Sequence, residues 1–364
     1  MQADRAQFTP VHILTGFLGS GKTTLLNRVL STEAFSTCAV IVNEFGDIGL
    51  DHLLVESSNE TLVELAGGCV CCTVRGDLAA TIISLLEQRA RGQCSAFTRI
   101  VIETTGLADP NPIVNLFSTD QTLVERTKLV GVTTTVDAIN WHTTLAQFDE
   151  SQRQVILADQ LVVTKTDMLH AFTDPPSLTK SAAEDLDTAV LPDLRERLSA
   201  LNPHAELQVA ARTDAELAKL LLSEHQAPQL GDAHYPHQAQ VHGHTHHHTS
   251  AIQSFCVTRT DALHPAVVSL LAEALAAHLG TNLLRLKGLL KLRNQEQAPA
   301  VIHAAQHVFH PLDSLQAWPA GEPRATRLTF IVRGVPQAFV EDLLDMLIWE
   351  VDEIERKVPV ASAS

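Results

Sequence analysis

Apolar residues recur along this chain in two rhythms. Short runs of apolar and β-branched residues fall at 11–15, 38–42, 99–102, 128–136, 160–163 and 206–210. Between them, apolar positions take helical spacing at 24–30, 77–88, 194–201 and 214–222. A short apolar run bounded by turn residues predicts a buried strand, and a 3.6-residue period predicts an amphipathic helix. Strands alternating with helices predict an α/β domain built on a mainly parallel sheet covered on both faces. The periodicity lapses over 226–250, where Pro228, Gly231, Pro236 and Gly243 punctuate a polar stretch. It resumes with strands expected at 254–258, 282–292, 300–309 and 326–332 and helices at 265–279 and 338–347. The expectation is an α/β domain at 1–225, a linker at 226–250 and a smaller α+β domain at 251–364. A chain of 364 residues suffices for two domains of roughly 100–200 residues each.

Composition narrows the partners. Hydrophobic residues make up 45% of the chain, enough for sizeable cores. The formal net charge of −16 argues against nucleic acid, whose binders carry a basic patch or stripe. No apolar run reaches the roughly 18 residues of a membrane-spanning helix. Residues 1–6 lack the basic and apolar regions of a signal peptide. A cytoplasmic protein with no membrane partner is expected.

The run Gly16-Phe17-Leu18-Gly19-Ser20-Gly21-Lys22-Thr23-Thr24 joins the first strand to the first helix and fits G-x-x-x-x-G-K-[ST], the phosphate-cradling P-loop. Its glycines let backbone N–H groups turn inward, and the helix adds its positive N-terminal end toward a polyphosphate. Lys22 is placed to reach the β- and γ-phosphates, and Thr23 to offer a hydroxyl to Mg²⁺. A nucleoside triphosphate is the expected ligand.

Other strand ends carry matching chemistry. Ligands of such sheets bind outside the carboxyl ends of the strands. There the second strand delivers the acidic loop 43–51, in which Glu44 and Asp47 are candidates to hold Mg²⁺, position water or contact a second metal, or form a solvated turn. The third strand ends in Glu103-Thr104-Thr105-Gly106, where Glu103 is the expected carboxylate on the Mg²⁺ side and Gly106 could offer an N–H to the γ-phosphate. The fifth leads into Thr164-Lys165-Thr166-Asp167, which resembles the N-K-x-D guanine element of GTPases. In that element the aspartate accepts from the guanine N1 and N2 hydrogens while the lysine stem packs on the base. Adenine lacks that donor pair, so Asp167 would select GTP over ATP. Thr164 replaces the usual asparagine.

Six cysteines are unevenly used. Cys38, Cys94 and Cys256 stand alone and read as small core hydrophobes. Cys69, Cys71 and Cys72 crowd into Gly67-Gly68-Cys69-Val70-Cys71-Cys72, and their thiolates suit Zn²⁺, Cu⁺ or related soft ions. Three sulfurs do not complete a four-coordinate structural site. An exchangeable site is therefore expected, its fourth ligand coming from Glu44, Asp47, a histidine or a partner protein. A redox pair or inert packing are the competing uses. The linker adds His242, His244, His246, His247 and His248, a tract able to bind Zn²⁺, Ni²⁺, Co²⁺ or Cu²⁺ as an auxiliary site. His307 and His310 form a looser pair, read as structural.

The motifs G-F-L-G-S-G-K-T-T, N-E-F-G-D, G-G-C-V-C-C, E-T-T-G-L-A-D-P and T-K-T-D, in this order, closely resemble those of the CobW-like GTPases, which include the zinc-regulated GTPase metalloprotein activators. Leu284-Arg285-Leu286-Lys287-Gly288 and Arg327-Leu328-Thr329-Phe330-Ile331 resemble that family's C-terminal domain. The resemblance implies a P-loop fold and GTP hydrolysis coupled to delivery of a transition metal to a client metalloprotein. It also implies a metal site at Cys69, Cys71 and Cys72. Zn²⁺ is the leading ion, with Co²⁺, Ni²⁺ and Fe²⁺ also compatible, and a homo-oligomer is open. Metal storage without catalysis, or a P-loop enzyme of cofactor biosynthesis, are the alternative functions. No catalytic glutamine is evident.

Overall fold

The computed structural model describes residues 8–42, 62–64, 74–172, 191–210, 213–223, 252–293, 295–319 and 323–357. The chain forms two compact units, Met1–Gln226 and Ala227–Ser364.

In the first unit the strands are β1 (Thr9–Gly16), β2 (Cys38–Val42), β3 (Leu62–Glu64), β4 (Arg99–Glu103), β5 (Thr127–Asp137), β6 (Gln160–Thr164) and β7 (Glu206–Val209). They form one seven-stranded sheet in the order β3-β2-β4-β1-β5-β6-β7, with every pairing parallel. Parallel strands need crossover connections, which helices supply here. These are α1 (Lys22–Leu30), α2 (Val74–Ala90), α3 (Asn111–Thr119), α4 (Gln121–Arg126), α5 (Trp141–Gln147), α6 (Asp149–Leu157), α7 (Leu191–Leu201) and α8 (Asp214–Leu221).

Both sheet faces are covered. One core packs Leu25, Leu26 and Val29 of α1 and Leu217 and Leu221 of α8 against Leu14, Val40 and Val162. The other packs Leu145 of α5, Val155 of α6 and Leu194 and Leu198 of α7 against Val136, Leu161 and Val163. Strands buried on both faces read as near-continuous apolar runs, which is why these runs stood out in the sequence.

Four helices, α3 to α6, escaped the periodic pattern for a physical reason. α3 buries two polar residues, Asn111 and Asn115, among Ile113, Val114, Leu116 and Phe117, so its buried side does not read as an apolar stripe. α6 buries polar Ser151 and Gln154 on its inner side. α2 also begins before, and ends after, the expected 77–88.

The second unit holds β8 (Ile252–Arg259), α9 (Pro265–Leu279), β9 (Leu283–Leu290), β10 (Ala300–Ala305), β11 (Val308–Phe309), β12 (Asp313–Ser314), β13 (Thr326–Arg333) and α10 (Gln337–Lys357). Its strands form an antiparallel sheet ordered β11-β10-β9-β13-β8, with β12 beside β10. Alternate residues such as Phe255, Val257, Leu286, Leu328 and Phe330 meet α9 and α10 in one core. The expected strand 300–309 breaks at Gln306, whose backbone takes a left-handed turn at φ 55°. Exposed His307 sits in the same turn, and the His310 N–H donates to the His303 carbonyl at 3.0 Å. The last helix runs ten residues past the expected 347, to Lys357, and its outer end is tied down by Arg293, which pairs with Asp352 at 2.6 Å and Glu355 at 2.7 Å.

Of the three lone cysteines only Cys38 is buried, and burial pushes its thiol up to about 11 despite the opposing Arg99 charge. Cys94 and Cys256 are half-buried, contrary to the core role expected of them. Cys256 alternates with core-facing Phe255 and Val257 and so lies on the opposite face of the sheet.

Phe330 is fully buried and stacks on Phe255 with ring centroids 5.5 Å apart. Phe330→Ala is expected to cost about 3–5 kcal/mol, read as a lowered urea midpoint for unfolding of the full chain.

Candidate functional site

Register aligns the strand ends. Leu14 of β1 pairs with Glu103 of β4, Gly16 with Thr135 of β5, and Asp137 of β5 with Thr164 of β6. The P-loop therefore emerges at the sheet's carboxyl edge between the ends of β4 and β5. Gly16 is required here: its φ is 144°, and a Cβ would lie 2.2 Å from the Thr135 hydroxyl oxygen. α1 then starts with no side-chain cap on its N-terminus and no acidic residue in its first turn, so its N–H groups stay available to an anion.

Hydroxyls hold the loop in place. Ser20 and Thr135 share a hydrogen bond at 2.6 Å, and the Thr135 hydroxyl lies 3.3 Å from the Thr15 carbonyl. The Thr164 hydroxyl donates to the Ser20 carbonyl at 2.7 Å. A threonine at the position of the usual asparagine thus still ties the end of β6 to the P-loop.

The phosphate-side residues converge. Lys22 is buried, and its Nζ donates to the carbonyls of Gly16 at 2.9 Å and Phe17 at 3.2 Å. The Thr23 hydroxyl donates to Glu103 Oε1 at 2.7 Å. Thr24 is exposed one position further on, and Gly19 and Gly21 both take positive φ. The donor set suits Mg²⁺: a hydroxyl and a carboxylate, both hard oxygens, separated by close to the about 2.9 Å expected between neighbouring ligands of an octahedral ion. Gly106 packs directly on the loop, since a Cβ there would lie 2.8 Å from the Leu18 nitrogen.

At the end of β6, Lys165 takes a left-handed backbone at φ 59° and its Nζ pairs with Asp137 at 2.8 Å. Burial works to raise the Asp137 pKa, but hydrogen bonds from Lys165, Asn140 and the Ile139 N–H outweigh it and hold the carboxyl below its ordinary value. Asp167 follows, exposed at the start of a short 3₁₀ turn. Beside the loop, Phe17, Leu18, Thr134, Trp141, Gln154 and Lys165 contribute to the lining of a cavity of about 200 Å³.

Glu44, Asp47, Cys69, Cys71 and Cys72, and the linker histidines His242, His244, His246, His247 and His248, lie outside the described residues. Among the described residues no three His, Cys, Asp or Glu side chains converge on a point that could hold a metal. Among them, too, no helix is long and apolar enough to cross a membrane. Asp137 and Gln154 are the site residues that sequence reasoning missed. Asp137 was legible only as a strand end, and nothing distinguishes Gln154 from other polar residues of its helix.

Thr164→Val removes the donor to the buried Ser20 carbonyl. It is expected to weaken GTP binding about 10-fold in a fluorescent-nucleotide titration, with Thr164→Asn restoring it. The depressed Asp137 carboxyl contributes stability that is complete above the ordinary carboxylate value of about 4 and is lost as pH falls through its lowered value. Melting temperatures taken from roughly pH 6 to about pH 3 should therefore fall less steeply for Asp137→Asn than for wild type.

Two family models match in tandem: the CobW/HypB/UreG nucleotide-binding domain over residues 10–188 and the cobalamin synthesis protein cobW C-terminal domain over residues 252–348. The zinc chaperone YjiA of Escherichia coli (strain K12) is 36% identical over 210 residues, covering 58% of this chain and 60% of that protein. The zinc-regulated GTPase metalloprotein activator 1 of Schizosaccharomyces pombe is 40% identical over 169 residues, 44% of this chain and 39% of its own. Both matches thus span less than two thirds of the relative. The zinc chaperone CobW of Sinorhizobium sp is 27% identical over 359 residues, covering 93% of this chain and 97% of that one. The crystal structure of Zn(II)-bound YjiA GTPase from E. coli superposes with a TM-score of 0.62 at 26% identity, over 93% of this chain and 99% of that one. With the P-loop domain and the C-terminal domain matched in order, this chain belongs to the CobW/HypB/UreG family of nucleotide-binding proteins and carries the CobW C-terminal domain.

Proposed function

We propose that this chain is a GTP-hydrolysing metallochaperone. It converts GTP and water to GDP and phosphate, takes a transition metal, Zn²⁺ first, at Cys69, Cys71 and Cys72, and delivers it to a client metalloprotein. The meeting of Thr23 with Glu103 beside an uncapped helix N-terminus is the observation that carries it. That arrangement offers oxygens for a cation and N–H groups for a polyphosphate in one place. The relatives named zinc chaperones and zinc-regulated GTPases point to zinc as the cargo.

Each residue then has a task. The P-loop N–H groups and Lys22 bind the β- and γ-phosphates, the ammonium exchanging the Gly16 and Phe17 carbonyls for phosphate oxygens. Thr23 and Glu103 would hold Mg²⁺, which when bound supplies charge neutralisation at the phosphates. Lys165 and Asp167 recognise guanine. The Gly106 N–H contacts the γ-phosphate and is released on hydrolysis. Glu44 and Asp47 are the candidates to orient water, with His242, His244, His246, His247 and His248 as an auxiliary metal reserve. The cysteines lie in sequence between the acidic loop and Glu103, so metal and γ-phosphate can bias the same segments. Hydrolysis then drives release through the different affinity of the two states for metal.

Zn²⁺ affinity, measured on the full chain by competition with a chromophoric chelator, tests this function. With a non-hydrolysable GTP analogue and with GDP the affinities should differ by about 5-fold or more, and Cys71→Ser should weaken binding and abolish the difference. Equal affinities, with several ions bound regardless of nucleotide, would mean a metal store.

A further inference from the structure

Two adjacent residues of α6 hold the loop that follows β4. Gln154 is fully buried, and both hydrogens of its side-chain amide are spent on that loop, donated to the carbonyls of Gly106 at 3.2 Å and Ala108 at 3.0 Å. Arg153 pairs with Asp109 at 3.1 Å, and Asp109 in turn accepts the Asn111 N–H at 2.9 Å where α3 begins. α6 is itself pinned. Asn202 donates to the carbonyls of Val155 at 2.8 Å, Ile156 at 3.0 Å and Ala158 at 2.9 Å, and the Thr134 hydroxyl donates to the Gln154 carbonyl at 2.8 Å.

The other end of the same side chain calls for an explanation. Gln154 Oε1 is buried without a hydrogen-bond partner among the described residues, and such groups are rare in folded proteins. Packing alone would be served better by an apolar side chain of the same size. What the amide supplies is a grip on two carbonyls, two residues apart in one loop, from a helix that is fixed at its back. Gly106, so gripped, sits hard against Leu18 of the P-loop.

We propose that Gln154 is a positioning residue for triphosphate recognition. It sets the Gly106 loop against the P-loop so that the chain distinguishes GTP from GDP, with Arg153 in support. Gln154 acts through Gly106 and contacts no phosphate itself, and the inference rests on the GTPase function proposed above. The selectivity belongs to the γ-phosphate, since GDP reaches the P-loop and the guanine element without calling on Gly106.

The test is nucleotide titration of full-length Gln154→Leu beside wild type, with a non-hydrolysable GTP analogue and with GDP, both with Mg²⁺ and without zinc. Affinity for the analogue should fall about 10-fold while affinity for GDP stays within about twofold, and Arg153→Ala should move the ratio the same way by less. An unchanged ratio, or equal loss for both nucleotides, overturns the proposal, because a merely structural role weakens both alike. If Gln154→Leu binds no nucleotide, Gln154→Met, which keeps the length and removes the donors without adding a charge, decides by the same ratio. A wild type that binds neither nucleotide overturns the GTPase function and this inference with it, and that failure shows before any variant is compared.

Discussion

A phosphate-binding turn works only if its backbone is rigid while its N–H groups remain unspent. In this chain hydroxyl groups supply that restraint. Ser20 meets Thr135, Thr135 reaches the Thr15 carbonyl, and the Thr104 hydroxyl bonds the Thr15 hydroxyl at 2.7 Å. Thr164 takes the Ser20 carbonyl from the other side. Each group is short, buried and uncharged, so it satisfies backbone polarity without placing a charge that would compete with a triphosphate. The close approach of Gly16 to Thr135 makes the arrangement intolerant of any side chain at Gly16.

Around this fixed turn, Lys22, Glu103 and Lys165 at the sheet edge are each given a neutral or opposite partner. Lys22 rests on backbone carbonyls, Glu103 on the Thr23 hydroxyl, and Lys165 on Asp137. None of these contacts is deep enough to be unbreakable, and all can be exchanged for oxygens of a nucleotide or cation. The side chains are therefore aimed before a ligand arrives, which lowers the ordering cost of binding.

The second unit is built on a different principle. Its antiparallel sheet keeps an apolar face for α9 and α10 and sets Arg285, Lys287 and Thr329, all buried, at the alternating positions of β9 and β13. Among its described residues there is no cluster of metal-ligating side chains.

The sequence by itself determined six of the seven strands of the parallel sheet, missing only the three-residue β3, together with the P-loop and the order of its partner motifs. Buried parallel strands read as near-continuous apolar runs, and phosphate-binding turns tolerate few residues at each position. Lys22, Thr23, Glu103, Lys165 and Asp167 were legible because each sits at a strand end or in a motif with fixed spacing. α3 and α6 were not legible, because polar residues on the buried side, Asn111 and Asn115 in one and Ser151 and Gln154 in the other, interrupt the apolar stripe on which such prediction depends. Only the tertiary structure decided what Thr164, Asp137 and Gln154 do. Their partners, Ser20, Lys165 and Gly106, stand 144, 28 and 48 residues away along the chain. No local pattern encodes a hydrogen bond closed over that distance; it exists because a parallel sheet brings its strand ends to one edge.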